Sequence, residues 1–227
     1  MGQLDKNIIR EIGIASGASV VGITPSDRFT NATVGFSPED KLPGCKTVIV
    51  FGSPFPREAL SKTTIEYTSI RNEMVEKMNH TAKEAAKQVK EMGYKTKIIG
   101  GLGGKWDNGR FRGHISLKHA AELAGLGCIT RNYLLTNPDY GNLLWFSAIL
   151  TNARIEADQI LEYDICKGCN LCVDVCPSGA LNDPALFGQK NCYKVCYKTI
   201  KGKLELKCFE CRRICPHRFG INQKHLT

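Results

Sequence analysis

At 227 residues the chain can hold one sizeable domain with an appended module, or two small domains. Its hydrophobic share is 42%, ordinary for a globular protein, and its longest apolar run, Leu143 to Leu150, is interrupted by Ser147 and too short to span a bilayer, which argues against a membrane protein. The formal charge is +9, and the excess is local: ten Lys/Arg (190, 194, 198, 201, 203, 207, 212, 213, 218, 224) face only Glu205 and Glu210 between Lys190 and Lys224. Such a run reads as a solvated face, a dock for an acidic redox partner such as a flavodoxin or ferredoxin, or a grip on a nucleic-acid backbone. Met1 to Lys6 leads into an amphipathic helix with no apolar leader, so a cytoplasmic location is expected. There, eleven cysteines would be thiols or metal ligands rather than disulfides.

Leu4, Ile8, Ile9, Ile12 and Ala15 recur at helical spacing, and Gly17 sits where that helix should end. Ser19 to Thr24 reads as a short buried strand closed by Pro25, and residues 26–44 as loop. Thr47 to Gly52 predicts a second strand, stopped by Ser53-Pro54-Phe55-Pro56. A long helix is expected from Thr63 to Met92, with Ile70, Met74, Met78, Ala82, Ala85, Val89 and Met92 on its core face, capped by Gly93. Lys95 to Gly100 reads as a third strand.

Gly100-Gly101-Leu102-Gly103-Gly104-Lys105 fits neither phosphate-loop template, because Trp106 occupies the third glycine position of one and the other lacks its Lys-Ser/Thr. It leaves a backbone able to lie close to a flat ligand. The polar stretch 105–114 is a candidate loop over a site. Ser116 can cap a helix carrying Leu117, Ala120, Ala121 and Leu123 that ends at Gly125-Leu126-Gly127, and Leu143 to Thr151 closes the series as a strand. The order helix–strand–strand–helix–strand–helix–strand predicts an α/β or α+β layered domain, with a right-handed crossover over the long helix if the strands flanking it are parallel. After Asn152 the composition changes, so a boundary is placed near residue 155, giving an α/β domain over 1–154 and a cysteine module over 155–227.

That module opens with Cys166-Lys-Gly-Cys169-Asn-Leu-Cys172-Val-Asp-Val-Cys176-Pro177 and closes with Cys208-Phe-Glu-Cys211-Arg-Arg-Ile-Cys215-Pro216. The first run matches the bacterial two-cluster ferredoxin pattern, in which three closely spaced thiolates serve one cubane and the fourth, just before proline, reaches a neighbouring one. Zinc sites favour two C-x2-C pairs. Nine cysteines within about fifty residues, ordered this way, point to iron–sulfur chemistry. With eight thiolate ligands and two oxidised cubane cores the charge settles at about +5. Cys45 and Cys128 read as small buried hydrophobes.

Lys118 to Asn132, Leu134 to Gly141 and Ser147 to Thr151 resemble the stretch preceding the ferredoxin module in epoxyqueuosine reductases and reductive dehalogenases. The cysteine layout is similar too, with Cys192 standing alone before Tyr197-Lys-Thr-Ile200, and so are Val20 to Thr24 and Leu42 to Val50. The chain is identified as a compact, divergent member of that group. The resemblance implies a nitroreductase-like α+β domain and a two-cluster ferredoxin module holding cobalamin between them. Mapped onto this chain, Cys166, Cys169, Cys172 and Cys215 would hold one [4Fe-4S] cluster and Cys176, Cys192, Cys208 and Cys211 the other, leaving Cys196 spare as an alternative ligand or an ordinary thiol.

Candidate cofactor-binding positions are Gly101, Gly103, Gly104, Gly125, Gly127, Arg131 and Asn132. The family's proposed proton donor, an Asp, falls at Phe111 here, so Asp107 and His114 are the candidate catalytic groups. Arg131 stands where a lysine is usual. The expected function is a cytoplasmic iron–sulfur oxidoreductase passing single electrons to a cofactor, with cobalamin foremost, to reduce a small molecule or modified nucleoside. The alternative is a ferredoxin-type carrier or activator docking a corrinoid protein or flavoprotein. A tRNA-binding role rests on charge and family analogy.

Overall fold

The computed structural model describes residues 3–222 except Leu102, Gly109, 184–186 and Lys201. Leu102 of the glycine-rich stretch, and Lys201 and Lys224 of the basic run, therefore lie outside the described residues.

In chain order the helices are α1 (Lys6–Ala15), α2 (Pro38–Lys41), α3 (Thr64–Glu91), α4 (Leu117–Leu123), α5 (Leu171–Asp174), α6 (Gln189–Cys196) and α7 (Glu210–Arg213). The strands are β1 (Val20–Pro25), β2 (Thr47–Pro54), β3 (Thr96–Ile99), β4 (Lys105–Asp107), β5 (Arg110–Arg112), β6 (Cys128–Ile129), β7 (Leu135–Thr136), β8 (Leu144–Thr151), β9 (Tyr197–Ile200) and β10 (Lys203–Leu206). The central sheet has the order β1-β2-β8-β3, and every neighbouring pair is antiparallel. Since β2 and β3 both run against β8, they are parallel to each other. The strands flanking α3 are thus co-directional, as the crossover expectation requires, with β8 inserted between them.

Period-two alternation divides the core between the two faces of this sheet. Ile49, Phe51 and Ile149 pack with Ile9 and Ile12 of α1 and Met74, Met78, Ala82, Ala85 and Val89 of α3. Val48, Val50, Ala148 and Leu150 point the other way, onto Ala120 and Ala121 of α4 and Leu126. The result is a mixed helix-and-sheet fold in three layers. α3 begins at a capping box, in which the Thr63 hydroxyl accepts from Glu66 N at 3.3 Å while the Glu66 carboxylate accepts from Thr63 N at 3.0 Å. Its methionines behave as core residues except Met92, which is 41% exposed beyond the helix end.

The cysteine module is welded to this domain. Ile155 is buried in the α1/α3 core, and Asp158 accepts from Ile23 N at 2.9 Å and pairs with Arg10. The Tyr67 ring of α3 stacks on Phe209 at 4.0 Å, and Leu206 N donates to Thr68 Oγ1 at 3.0 Å. After Cys215 the chain docks on the loop before β8: Ile221 N and Asn222 N both donate to Pro138 O, at 2.8 and 2.9 Å. Gly141, at φ 60°, makes this approach feasible, because a Cβ there would sit 2.2 Å from Arg218 O.

Candidate metal centre and the cavity beside it

The first sulfur group grows from the loop 166–176. Gly168 takes φ 73°, turning the chain between Cys166 and Cys169, whose N–H donates back to Cys166 O at 2.9 Å. α5 then lifts Cys172 into a buried position. Cys215 arrives from beyond α7, and the four sulfurs converge beside Thr130, Arg131 and Asn132. Their electrostatics are those of a crowded quartet. Burial pushes the Cys172 thiol up to about 11, and the neighbouring Cys166, Cys169 and Cys215 push it in the same direction. Cys215 is raised by burial and by Cys166 and Cys169. Four such thiols can all ionise together only around a cationic core, which is the donor chemistry an iron–sulfur cluster requires.

The second group is assembled from separate segments. α6 carries Cys192 and Cys196 at i and i+4, so both rise from one helix face, and their sulfurs lie 3.3 Å apart. Lys207 N donates to Cys196 O at 2.6 Å, which brings Cys208 alongside. A hydrogen bond from Cys196 lowers the Cys208 thiol to about 6 and lowers Cys192 as well, while Cys196 itself is driven far upward by the same two contacts and then by burial. Cys211 is pushed up to about 12 by burial, with Cys192, Cys208 and Cys172 adding negative charge around it. Cys172 belongs to the first group, so the two groups adjoin. Cys176, half-buried, has its sulfur 3.4 Å from Ser178 Oγ.

Against the second group lies a cavity of about 200 Å³ between α4, β8 and α7, lined among others by Gly101, Lys118, Asn142, Trp145 and Arg212. The Lys118 amine donates to Tyr133 O; burial, and then the neighbouring Arg212, push it down to about 8. Arg212 is buried, donates to Asn142 O and lies 4.6 Å over the Trp145 ring. Asn142 Oδ1 is buried with no protein partner, a spare acceptor at the cavity wall.

A profile for the 4Fe-4S binding domain matches residues 160–182. The epoxyqueuosine reductase of Lactococcus garvieae (strain Lg2) is 29% identical over 217 residues, a match that covers 88% of this chain and 60% of the relative. The chain is a relative of the epoxyqueuosine reductases. It spans less than two thirds of the length of such relatives. Its fold is shared with an epoxyqueuosine reductase solved with an epoxyqueuosine-modified tRNA stem loop, at TM-score 0.62 and 22% identity over 94% of this chain and 65% of that one. It is also shared with a reductive dehalogenase whose structure suggests a mechanism for B12-dependent dehalogenation, at TM-score 0.71 and 19% identity over 92% of this chain and 31% of that one.

Set beside these epoxyqueuosine reductase relatives, the predicted site residues fall into distinct places. Gly101 lines the cavity. Gly104 is closed off by its own hairpin, where a Cβ would meet Arg112 O at 2.4 Å, and Gly103 is exposed with open space beside it. Gly125 and Gly127 serve close backbone packing, against Gln159 O and Thr136 O at 2.1 and 2.3 Å from a Cβ. Arg131 and Asn132 stand at the first sulfur group, and Asn132 Nδ2 donates to Cys211 O at 3.1 Å. Asp107 pairs with Arg112 at 2.9 Å on the β4–β5 hairpin and His114 is exposed; neither lines either space. Cys45 is buried as expected, whereas Cys128 is half-buried and its thiol donates to Leu161 O at 3.0 Å.

The cavity is open to solvent, and at about 200 Å³ it is smaller than the roughly 300–1,000 Å³ of pockets for drug-sized ligands, so a corrinoid would have to lie across its mouth rather than inside it. Lys118, Asn142, Trp145 and Arg212 were invisible to motif reading; Arg212 adjoins Cys211, but nothing in its spacing marks it as a cavity wall.

Proposed function

We propose that this chain is a cytoplasmic iron–sulfur oxidoreductase in which two [4Fe-4S] clusters deliver single electrons to an acceptor at the cavity beside the second sulfur group. What supports this most is the adjacency of the groups: Cys211 feels Cys172 of the first group on one side and lies next to the Arg212 wall of the cavity on the other. Such clusters supply one-electron transfer, with potentials set by hydrogen bonds to the sulfurs and by exposure. In this reading Cys166, Cys169, Cys172 and Cys215 hold the outer cluster. Cys192, Cys208 and Cys211 contribute to the inner one, with Cys176 as the fourth thiolate that the resemblance implies.

The protein's own residues would then prepare the acceptor. Lys118 and Arg212 place positive charge at the cavity, which favours a group that gains electrons. Asn142 Oδ1 offers an acceptor for a donor on the bound molecule, and the Trp145 face offers a flat wall. The resemblance makes the substrate a small molecule or a modified nucleoside, and the exposed Lys190, Lys194 and Lys198 suit an acidic electron donor such as flavodoxin or ferredoxin, or tRNA. Asp107 and His114, the proton donors expected from the sequence, lie off the cavity lining, so this reading gives neither a place at the acceptor.

The small cavity favours a second reading, in which the chain carries electrons to a separate corrinoid protein or flavoprotein. Titrating free cobalamin into anaerobically reconstituted protein separates the two. A base-off spectral change at micromolar cobalamin supports a bound corrinoid acceptor lying across the cavity mouth. An unchanged spectrum, with electrons still passing to an added corrinoid protein or flavoprotein, supports the carrier.

A further inference from the structure

We infer that Arg131 raises the reduction potential of the outer cluster, its guanidinium donating through Nε to a sulfur of that cluster. This rests on the two-cluster reading above and deepens it. Arg131 is half-buried and lines one space together with Cys166, Cys169, Cys172 and Cys215. Its Nε is buried and has no hydrogen-bond partner in the protein. Among the described residues, the other buried side-chain atoms in that condition are oxygens, of Thr96, Asn142 and Ser147. A buried donor left unmet is costly, more so when charged, so an acceptor is called for. The sulfurs of a cluster held by those four cysteines would meet it.

The turn that carries Arg131 is pinned on both sides. Thr130 N donates to Leu134 O at 3.0 Å and Tyr133 N to Thr130 O at 2.8 Å. Buried Asn132 accepts at Oδ1 from Thr130 Oγ1 at 3.0 Å and from Leu134 N at 3.1 Å, while its Nδ2 donates to Cys211 O at 3.1 Å. Arg131 is thus held at the first sulfur group by the residue that reaches the second. Two other cations close in sequence to these cysteines are placed differently. Arg218 Nη1 donates to Cys215 O at 3.1 Å, with its guanidinium 4.6 Å over the Phe219 ring, and Lys167 is exposed.

Charge gives the sign of the effect. With four thiolates, a [4Fe-4S] cluster passes from a charge of about −2 to about −3 as it takes one electron from its donor. A fixed cation beside it favours the more negative state, and a hydrogen bond to its sulfur acts in the same direction. Arg131 is therefore a positioning residue for the electron, not a cluster ligand.

The test is a redox titration followed by electron paramagnetic resonance on anaerobically reconstituted wild type, Arg131→Gln and Arg131→Lys, with iron measured in each. Because His217 lines the same space, all titrations are run at one pH. Wild type should show two waves; a single wave would overturn the two-cluster reading, and its response to Arg131→Gln would still decide this inference. With iron retained, Arg131→Gln should move one wave, the one absent from Cys166→Ala, to a more negative potential. The expected size is a fall of about tenfold or more in the reduced-to-oxidised ratio at the wild-type midpoint, which is about 59 mV for one electron. Arg131→Lys keeps the charge and should recover most of that shift. Two unmoved waves, equal movement of both, or movement of the other wave alone overturns the inference. Should Arg131→Gln fail to hold iron, wild type and Arg131→Lys are compared after growth on isotope-labelled arginine. A labelled-nitrogen coupling to the reduced outer cluster that disappears in Arg131→Lys supports the inference, and identical couplings in the two proteins contradict it.

Discussion

The two sulfur groups are built in opposite ways. The first takes three of its four cysteines from one short loop, positioned by Gly168 and α5, with Cys215 closing it. The second collects cysteines from α6 and from the turn into α7, and holds them in place through contacts with the α/β domain: Phe209 on Tyr67, Leu206 on Thr68 and Arg212 on Asn142. A site written into one loop depends on local geometry, whereas a site gathered from distant segments depends on the whole fold. The second group is also the one that meets the cavity, so the proposed electron exit is the part of the molecule most tied to tertiary structure.

The largest expected effect tests that the groups are separable. Cys211→Ala should lower iron by about half and remove one cluster signal, and Cys166→Ala should remove the other half. Loss of all iron in either variant would mean that the two groups form one cooperative unit. Next comes the dependence of the second group on the fold. Phe209→Ala deletes a partly buried ring packed on Tyr67 and should cost about 2–4 kcal/mol, read as a lowered denaturation midpoint. Leu171→Ala, beside the first group and 46% exposed, should stay within about 0.5 kcal/mol. Similar losses in both would erase the contrast.

A third prediction concerns the cavity wall. Lys118 titrates near 8 in the fold against an ordinary 10.5. Below about pH 8 the fold must bury a charged amine, so the penalty is fully present there. It is relieved as pH rises from 8 toward 10.5, where the unfolded chain binds the extra proton. Lys118→Met should therefore stabilise the protein at pH 7 and lose that advantage by pH 10; an equal advantage at both would show that the amine is not desolvated. The smallest effect is expected at the cap of α3. Thr63→Ala should cost about 1 kcal/mol and leave iron content unchanged, because the cap lies a full turn from the Tyr67–Phe209 stack.

Much of the α/β layer was legible because its signals are local. Thr63 and Glu66 mark the start of α3, its apolar stripe marks the buried face, and β2, β3 and β8 fall within one or two residues of the apolar runs that predict them. The β4–β5 hairpin lies where the sequence suggests a loop. It is short and exposed, with Arg110 opposite Asp107, so no buried face imposes an alternating pattern. The loop sulfur group was equally plain, since spacing alone brings Cys166, Cys169 and Cys172 together. Cys196 could not be placed from spacing, because its neighbours Cys192 and Cys208 meet it through a helix face and a backbone bond. The cavity was hidden for the same reason: Asn142 and Arg212 are 70 residues apart and become neighbours only when α7 docks.

The central claim is that two sulfur groups each hold a cluster, and metal analysis of anaerobically purified protein tests it most directly. The account predicts about eight iron and about eight acid-labile sulfide per chain, with negligible zinc. About four iron, or zinc in place of iron, would contradict it.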